Sequence, residues 1–334
     1  MHALRQAFPQ AEVLCEDLLD HVRPGVARAY PATYYLLVRH LSPVWGACFA
    51  LLDQRWFYRM VRPLRRMWNR VMARHFLQWL DEQQPDLVVT THFFPADVCG
   101  TAKRLGRLRA PLVVVITDLH PHWFWITKEA EATVVGTATT AQECRARGIA
   151  AERLHVLGIP VAQEFRTVIH RRDVEERLTL DPSRKTVLVT SGGNTVGPFE
   201  PVVHALCRLE ETLPGRLQLI VVCGQNQAAV ERLTRQTQSC AMPVRVFGFV
   251  ENMPDLMGAS DMIVAKAGGL TVTEAITRGL PLILYHAIPG QESFNARYLI
   301  AHGAAVNAPG AEAAAAAVRR CLEDAGHVQA LRNA

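Results

Sequence analysis

The run from Lys266 to Glu274 has the composition of a phosphate-binding turn. An apolar stretch ends at Lys266, two glycines follow Ala267, and a helical pattern begins at Thr271. Glycines let backbone approach a ligand closely, and the free N–H groups and positive dipole end at a helix start suit a diphosphate. Glu274, one turn into the helix, can accept both hydroxyls of a ribose. Because Thr271 and Glu274 also have capping-box spacing, in which Glu274 bonds the Thr271 backbone, both interpretations stay open.

Two other loops of the second half also follow apolar runs. Gly192, Gly193 and Asn194 come after the run at 185–190 and can contact a phosphate or a sugar, or form an ordinary turn. Gln291 and Glu292 open a helical pattern after the run at 281–285, where they can bind sugar hydroxyls or cap that helix. Three loops at successive strand ends indicate one binding crevice.

The first half offers three candidate catalytic residues, His92, Asp118 and His120, each of which follows a predicted strand. Asp118 or His120 can orient or deprotonate an acceptor hydroxyl. His120 and His122 can instead form a metal pair, although the sequence offers no evident third ligand. For His122 the favoured interpretation is a polar side chain that closes the site or bonds loop backbone.

A basic, aromatic segment at 54–70 predicts contact with a membrane. Between residues 21 and 80 there are ten Arg, no Lys and one acid, Asp53, which gives +9 in a chain whose net charge is +5. Such a segment can lie in a bilayer interface with aromatics at headgroup depth and Arg on anionic lipid phosphates. The alternatives are a solvated Arg face over a packed apolar face, or nucleic-acid binding, which lacks a recognisable module. The candidate membrane residues are Arg55, Trp56, Phe57, Arg59, Arg62, Arg65, Arg66 and Trp68.

Length and composition indicate a two-domain globular protein in a reducing compartment. The chain has 334 residues, 49% of them apolar and 20% charged, and its eight cysteines include no C-x-x-C pair. Its start lacks the apolar core of a signal peptide, and its longest apolar stretch, near 41–52, falls short of the ~18 residues that span a bilayer. Because G-x-G-x-x-G and P-loop patterns are absent, a Rossmann dehydrogenase and a P-loop kinase are disfavoured.

Apolar runs that alternate with helical patterns predict parallel α/β domains. In the second half we predict strands at 185–190, 217–223, 244–249, 261–265 and 281–285, with helices at 199–213, 227–237, 271–278 and 292–302. The first half predicts strands at 11–15, 87–91, 112–117 and 133–135, helices at 2–8, 96–105 and 140–147, and the basic insert between its first two strands. A linker is expected near 158–172, and the Ala-rich stretch at 311–317 suits a surface helix.

These motifs together resemble the monogalactosyldiacylglycerol synthase and processive diacylglycerol glucosyltransferase family. In the second half they are FGFV at 247–250, DLM at 255–257, ASD at 259–261, KAGGLT at 266–271, EA at 274–275, RGLP at 278–281 and PGQE at 289–292. In the first half they are QPDLVVTTHFFP at 84–95, TDLHPHW at 117–123 and GIPV at 158–161. A more distant likeness is to the peptidoglycan N-acetylglucosaminyltransferase that modifies lipid I.

The resemblance implies a GT-B fold, in which two Rossmann-like doubly wound domains face a cleft. We expect an acceptor and membrane-associating domain at 1–165 and a nucleotide-sugar domain at 166–334. The implied reaction is inverting, metal-independent transfer of a hexose from UDP-glucose or UDP-galactose to diacylglycerol in an anionic membrane. It needs no cofactor beyond the UDP-sugar co-substrate and no nucleic acid, and it implies a cytoplasmic protein that is peripheral on the inner membrane face.

Position by position, the resemblance also assigns the donor site. Phe249 and Val250 are expected to border the uracil, and Glu274 to hold the ribose. The remaining implied contacts are with the diphosphate, from Gly268, Gly269, Leu270 and Thr271, and with the sugar, from Gln291 and Glu292.

The family opens with a strand and a Gly-rich loop whose His is the favoured catalytic base, and this sequence is expected to start just after that loop. A misplaced start codon, a fragment or a degenerate copy would each account for such a start. Two hypotheses therefore stand beside the glycosyltransferase: a UDP-sugar epimerase of the same fold, and a truncated, non-catalytic remnant that binds nucleotide or membrane.

Overall fold

A computed structural model describes residues 2–193 and 197–334. By its internal contacts the chain divides into two compact units. The first unit comprises Met1–Pro160 with Pro289–Gln291, and the second comprises Val161–Ile288 with Glu292–Ala334. The expected boundary between residues 165 and 166 stays a prediction.

The first unit is built on a four-stranded parallel sheet in the order β1-β2-β3-β4. Its strands are short and rich in Val, and the two central ones, Leu112–Val115 and Ala132–Val135, are largely covered, which suits a parallel sheet flanked by helices. Their bounds are β1 Val88–Thr90, β2 Leu112–Val115, β3 Ala132–Val135 and β4 Leu154–Val156. Candidate residues therefore follow β1 and β2, at the edge formed by the carboxyl ends of the strands.

Seven α-helices are described in this unit, and four of them form the basic insert that precedes β1. They are α1 His2–Ala7, α2 Pro24–His40, α3 Ser42–Leu52, α4 Arg55–Met72, α5 Arg74–Gln83, α6 Phe93–Arg104 and α7 Ala138–Ala146. Short 3-10 helices lie at Leu18–His21, Trp123–Trp125 and Ala151–Arg153. The first unit's core is formed mainly by α5, α6 and the strands, with Leu77, Val98 and Val114 among its buried side chains.

The strand predicted at 11–15 is wrong, because the structure gives that stretch no regular secondary structure. Three of its apolar residues, Ala11, Leu14 and Cys15, are exposed, and Val13 is only half-buried. A strand needs a neighbour to accept its ladder hydrogen bonds, and β1 pairs within the described chain only with β2. The predicted strands at 87–91, 112–117 and 133–135 are confirmed with slightly different bounds, whereas β4 was missed.

The second unit contains six parallel strands in the order β10-β9-β8-β5-β6-β7. They are β5 Lys185–Thr190, β6 Leu217–Val222, β7 Val244–Phe247, β8 Met262–Lys266, β9 Leu282–His286 and β10 Val306–Asn307. From β5 the chain builds outward through β6 and β7, then returns to build β8, β9 and β10 on the other side. The order thus reverses between β5 and β8, and in doubly wound sheets a ligand crevice forms beyond the carboxyl ends at such a switch point.

Helices connect these strands, largely as predicted. They are α8 Arg171–Leu178, α9 Phe199–Cys207, α10 Gln227–Thr237, α11 Met253–Gly258, α12 Gly269–Thr277, α13 Gln291–Ala301, α14 Ala311–Glu323 and α15 Ala325–Asn333, with 3-10 helices at Gln163–Phe165 and Arg208–Glu211. The predicted helix at 227–237 is confirmed residue for residue. The Ala-rich helix is longer than predicted, and Ala314 and Val318 on one of its faces join the buried core with β9 and α9.

Candidate functional site

Helix α12 begins with backbone amides that have no acceptor in the helix. Gly268 is its N-cap, and no described side chain accepts a hydrogen bond from the amides at this helix start. The first helical hydrogen bond runs from Val272 N to Gly268 O over 3.0 Å. The N–H groups of Gly269, Leu270 and Thr271 therefore lie at the helix start, at the positive end of its dipole. The helix starts two residues earlier than predicted. Because Thr271 is inside it and is not the N-cap, the capping-box interpretation is wrong.

Glu274 lies further along the same helix and is half-buried. No described side chain or backbone N–H forms a hydrogen bond or ion pair with its carboxylate, and burial raises the pKa of Glu274 to about 7. A buried carboxylate without a partner is costly when ionised. This arrangement is typical of a residue whose partner is a ligand.

The two glycine loops flank the switch point, one after β5 and the other after β8. Gly192 has φ = 71°, a left-handed conformation that favours glycine. A side chain at Gly192 would begin 3.7 Å from Cε of Lys266, so the two loops approach each other closely. Gly193 accepts a backbone hydrogen bond from Gln225 N over 3.3 Å. Asn194, predicted with these glycines, lies outside the described residues.

Lys266 and Asn295 also lie beside the start of α12, and our sequence-based site did not include them. The Lys266 side chain is 8% exposed at the end of β8; burial lowers its pKa, and the nearby charge of Glu292 acts in the opposite direction. Asn295 Nδ2 donates to Ala267 O over 3.1 Å and thereby holds the turn that leads into α12. A lysine that directly precedes the glycine turn was the available sequence signal, whereas Asn295 lies 28 residues away.

Glu292 and Gln291 are placed at the first turn of α13. Glu292 is buried, and its Oε2 accepts a hydrogen bond from Ile288 N over 2.8 Å. This contact occupies one carboxylate oxygen and fixes the loop before α13, and Ile288 lies outside the helix, so the bond does not cap α13. Gln291 is the first residue of α13 and groups by its contacts with the first unit.

Two apolar side chains near the predicted nucleotide site are exposed. Phe249, two residues beyond β7, is 68% exposed, and Leu270 in the first turn of α12 is also exposed. Val250 is half-buried next to Phe249. An exposed aromatic ring at a strand end suits stacking against a planar base.

His92 and Asp118 are both engaged with neighbouring groups in the first unit. His92 is the N-cap of α6, and its Nδ1 accepts a hydrogen bond from Phe94 N over 3.3 Å. Burial lowers the pKa of His92, so the imidazole is neutral at pH 7. Asp118 Oδ2 accepts a hydrogen bond from Trp125 Nε1 over 3.2 Å.

His120 lies between two carboxylates. Its Nε2 is 2.8 Å from Asp53 Oδ2 and its Nδ1 is 2.8 Å from Glu143 Oε2, while Arg147 contacts both acids. His122 instead bonds backbone, as the sequence analysis favoured: its Nε2 contacts Phe49 O and its Nδ1 accepts from Phe124 N. No group of three or more His, Cys, Asp or Glu that could hold a metal is found among the described residues.

Helix α4 turns part of its arginine face toward the first unit. Arg65 forms an ion pair with Asp97 over 2.8 Å, and its guanidinium lies 4.5 Å from the Phe124 ring centroid. Asn69 donates to the same aspartate over 2.6 Å, and Arg66 is 3.7 Å from Glu129. Arg65 and Arg66 are therefore held by the protein, against the prediction that they meet lipid phosphates.

The opposite face of α4 is an exposed apolar stripe. Its six large side chains are each 59–65% exposed, and their spacing of three, four or one places them along one side of the helix. We call this face the α4 stripe; it consists of Trp56, Met60, Leu64, Met67, Trp68 and Val71. Arg55 and Arg59 are exposed beside it, whereas Phe57 and Arg62 are half-buried.

None of the described helices has, by itself, both the length and the hydropathy of a membrane span. Pro24–His40 and Ser42–Leu52, which meet at a bend of 114°, reach that length and hydropathy only when they are taken together.

Two parallel-sheet α/β units of this kind define the GT-B class, and solved structures of that class resemble the chain. One is UDP-GlcNAc 2-epimerase from Neisseria meningitidis bound to UDP-GlcNAc, at 14% identity and a TM-score of 0.59, over 77% of this chain and 73% of that one. Another is Anabaena Alr3699/HepE in complex with UDP-glucose, at 19% identity and a TM-score of 0.53, over 77% and 74%. At these identities the likeness shows the fold alone.

Sequence comparison identifies the family. The model of monogalactosyldiacylglycerol (MGDG) synthase matches residues 1–161, and that of the glycosyltransferase family 28 C-terminal domain matches residues 186–326. The chain is 32% identical to a probable monogalactosyldiacylglycerol synthase 2 of Oryza sativa over 91% of its length and 66% of the relative's. It is 32% identical to the processive diacylglycerol beta-glucosyltransferase of Bacillus cytotoxicus over 68% of its length and 57% of the relative's.

The chain belongs to this family of monogalactosyldiacylglycerol synthases and diacylglycerol glucosyltransferases, which confirms the resemblance. It spans 57% to 66% of the length of these two curated relatives.

Proposed function

We propose that this protein transfers a hexose from UDP-glucose or UDP-galactose to diacylglycerol in an anionic membrane, with inversion and without a metal ion. The observation that carries the proposal is the arrangement at the switch point of the second unit. There, one helix carries the amides of α12 and the carboxylate of Glu274, for neither of which the described residues supply a partner. The lysine that precedes this helix lies close to Gly192 in the glycine loop after β5. Family membership supports the same assignment.

The donor would be held from its diphosphate outward. The amides of Gly269, Leu270 and Thr271 would bind phosphate oxygens, and the glycines at 268 and 192–193 would let backbone approach them. The Lys266 ammonium would balance part of the negative charge. Glu274 would accept the ribose hydroxyls, with Phe249 and Val250 against the uracil and Gln291 and Glu292 at the sugar.

The reaction would be a single in-line displacement. A diacylglycerol hydroxyl oxygen attacks the anomeric carbon while the bond from that carbon to the diphosphate oxygen breaks, so that the configuration at the anomeric carbon inverts. The hydroxyl proton passes to a base, and UDP leaves with its new charge on the α12 amides. His92 and Asp118 remain the candidate bases, and His120 is the weaker one because both of its ring nitrogens face carboxylates.

The lipid acceptor would be reached by peripheral binding at the inner, cytoplasmic face of the membrane. The α4 stripe offers a continuous exposed apolar surface, and such surfaces mark interaction sites. Arg55 and Arg59 beside it can meet anionic headgroups, each contributing about 1 kcal/mol. The apolar residues, more than the arginines, would therefore supply the contact.

A transfer assay tests the proposal. The protein is incubated with radiolabelled UDP-glucose or UDP-galactose and with vesicles that contain diacylglycerol and an anionic phospholipid, and the lipid extract is analysed. We expect labelled glycolipid with one of the two donors, and only when diacylglycerol is present. Absence of glycolipid with both donors would refute the proposal, and conversion of the UDP-sugar without any acceptor would point to the epimerase.

A further inference from the structure

Asp53 is the one acidic residue between His21 and Leu80, and it is half-buried at the junction of α3 and α4. Its side chain is only 11% exposed. Burial alone would raise the pKa of Asp53, but the hydrogen bond from His120 and the charge of Arg147 help to outweigh it and hold the pKa below its ordinary value. The carboxylate is therefore ionised and paired at neutral pH.

Three groups from the sheet side of the unit contact this carboxylate. His120 Nε2 lies 2.8 Å from Oδ2, and Trp123 N donates to Oδ1 over 3.0 Å. Arg147, at the end of α7, donates to Oδ2 over 3.1 Å. Two of these partners belong to the loop that follows β2, which also carries Asp118.

The same loop holds the end of α3 at a second point. His122 Nδ1 accepts from Phe124 N over 3.1 Å, so the ring proton is on Nε2, which donates to Phe49 O over 3.1 Å. Burial lowers the pKa of His122 to about 4, so the ring stays neutral at physiological pH. The loop that follows β2 is thus hydrogen-bonded to α3 at Phe49 and, one turn later, to Asp53 at the end of that helix.

Helix α4 starts two residues after Asp53 and is fastened along its length as well. Arg65 and Asn69 both bond Asp97 of α6. The side of α4 that carries the α4 stripe is therefore set by contacts with the body of the first unit. Asp53 lies two residues before α4, and its carboxylate bonds the loop that carries Asp118, so it connects that loop to the start of α4.

We propose that Asp53 is a positioning residue. It fixes the distance between the Asp118–Trp123 loop and the surface of a membrane to which the α4 stripe binds. The inference rests on the proposed transfer to a lipid in a bilayer. Catalytic geometry is sensitive to displacements of about 1 Å. If the tie to α3 and α4 is lost, the loop can shift relative to the membrane surface even though α4 still binds it.

The test compares two presentations of the acceptor. Asp53→Asn and wild type are assayed with long-chain diacylglycerol in anionic vesicles and with a short-chain diacylglycerol dispersed below its critical micelle concentration. We expect Asp53→Asn to lower transfer in vesicles by on the order of tenfold to a hundredfold, while transfer to the dispersed acceptor and vesicle binding change less than about twofold. Asp81→Asn is the matched control, since Asp81 is an exposed acid that is ion-paired with Arg107 in the same unit.

An equal loss with both acceptors, or no loss with either, would overturn the inference, since a purely structural role affects both alike. Should Asp53→Asn not fold, Arg147→Gln removes the cationic partner and gives the same comparison. Hydrogen–deuterium exchange provides a readout that does not need activity. If wild type makes no glycolipid, the transfer proposal fails. Faster exchange of the Trp123 amide in Asp53→Asn, with unchanged exchange in Asp81→Asn, would still support the positioning of this loop by Asp53. Unchanged exchange at Trp123 in Asp53→Asn would refute it.

Discussion

Among single residues, Glu274 has an unusual effect on stability. No described side chain stabilises its carboxylate, so the ionised form should destabilise the unliganded protein. A carboxyl whose pKa is raised on folding binds its proton more tightly in the folded state. Between its ordinary pKa, near 4.5, and its folded pKa of about 7, the unfolded chain therefore binds fewer protons, and stability falls as the pH rises. The same residue is the one that we assign to the ribose.

The first prediction follows from that sign. Glu274→Gln keeps the shape of the side chain but removes the charge, so the variant should be more stable than wild type at pH 8 by about 2 kcal/mol. The difference should disappear below about pH 4.5, where the wild-type carboxyl is protonated in both states. Urea unfolding of the two proteins at pH 8 and at pH 4.5 measures it. Equal stability at pH 8 would mean that the carboxylate has a partner or is solvated.

The role of Asp53 could not be predicted from the sequence. Asp53 was visible only as the lone acid in a basic stretch, because its partners His120 and Arg147 lie 67 and 94 residues further along the chain. Glu274 was predicted correctly to lie inside a helix that follows the glycine pair, since a glycine pair after an apolar strand is a local pattern, although that helix starts two residues earlier than predicted. Local patterns could be predicted, and distant pairings could not.

At the scale of elements, α4 shows why an amphipathic helix does not reveal its inward face. Its arginines and apolar residues alternate with helical spacing, and that pattern fits a helix that presents either side to the protein. Asp97 and Glu129 decide the orientation, because they bind Arg65 and Arg66 from α6 and from the segment before β3. The sequence therefore predicted the helix and its unusual composition, but the part of the prediction that placed these two arginines on lipid was wrong.

The second prediction concerns the contact between the exposed α4 stripe and a membrane. The double variant Met60→Ser/Leu64→Ser removes two apolar side chains that are each 63% exposed and should fold normally. It should bind anionic vesicles at least about tenfold more weakly, since burying each side chain contributes about 1 kcal/mol or more. Co-sedimentation with vesicles measures the affinity.

The matched control for that experiment is Leu157→Ser/Val168→Ser, which changes two apolar residues that are exposed outside α4. Its vesicle affinity should equal that of wild type. If both double variants bind alike, the α4 stripe does not contact the bilayer. If wild type instead forms dimers that only the α4 variant abolishes, the stripe is an interface between copies of the chain.

At the scale of the whole molecule, the two parallel α/β units and the family were both predictable. Strands such as β5 and β6 are continuous apolar runs separated by helical patterns, and their buried environment leaves few other folds for them. The stretch at 11–15 is also apolar at alternate positions, but without a neighbouring strand it forms none. Strand order, and with it the switch point between β5 and β8, is a long-range property that the sequence implied only through the resemblance.

In the proposed donor complex, a nucleotide lies with its diphosphate on the amides of α12 and its ribose on Glu274. Calorimetric titration of UDP into wild type, Glu274→Ala and the control Glu231→Ala tests this claim most directly, because Glu231 is an exposed acid of the same unit. Loss of hydrogen bonds to a charged group predicts that Glu274→Ala weakens UDP binding about tenfold to a hundredfold, whereas Glu231→Ala binds like wild type. If Glu274→Ala keeps wild-type affinity for UDP, the proposed donor site is contradicted.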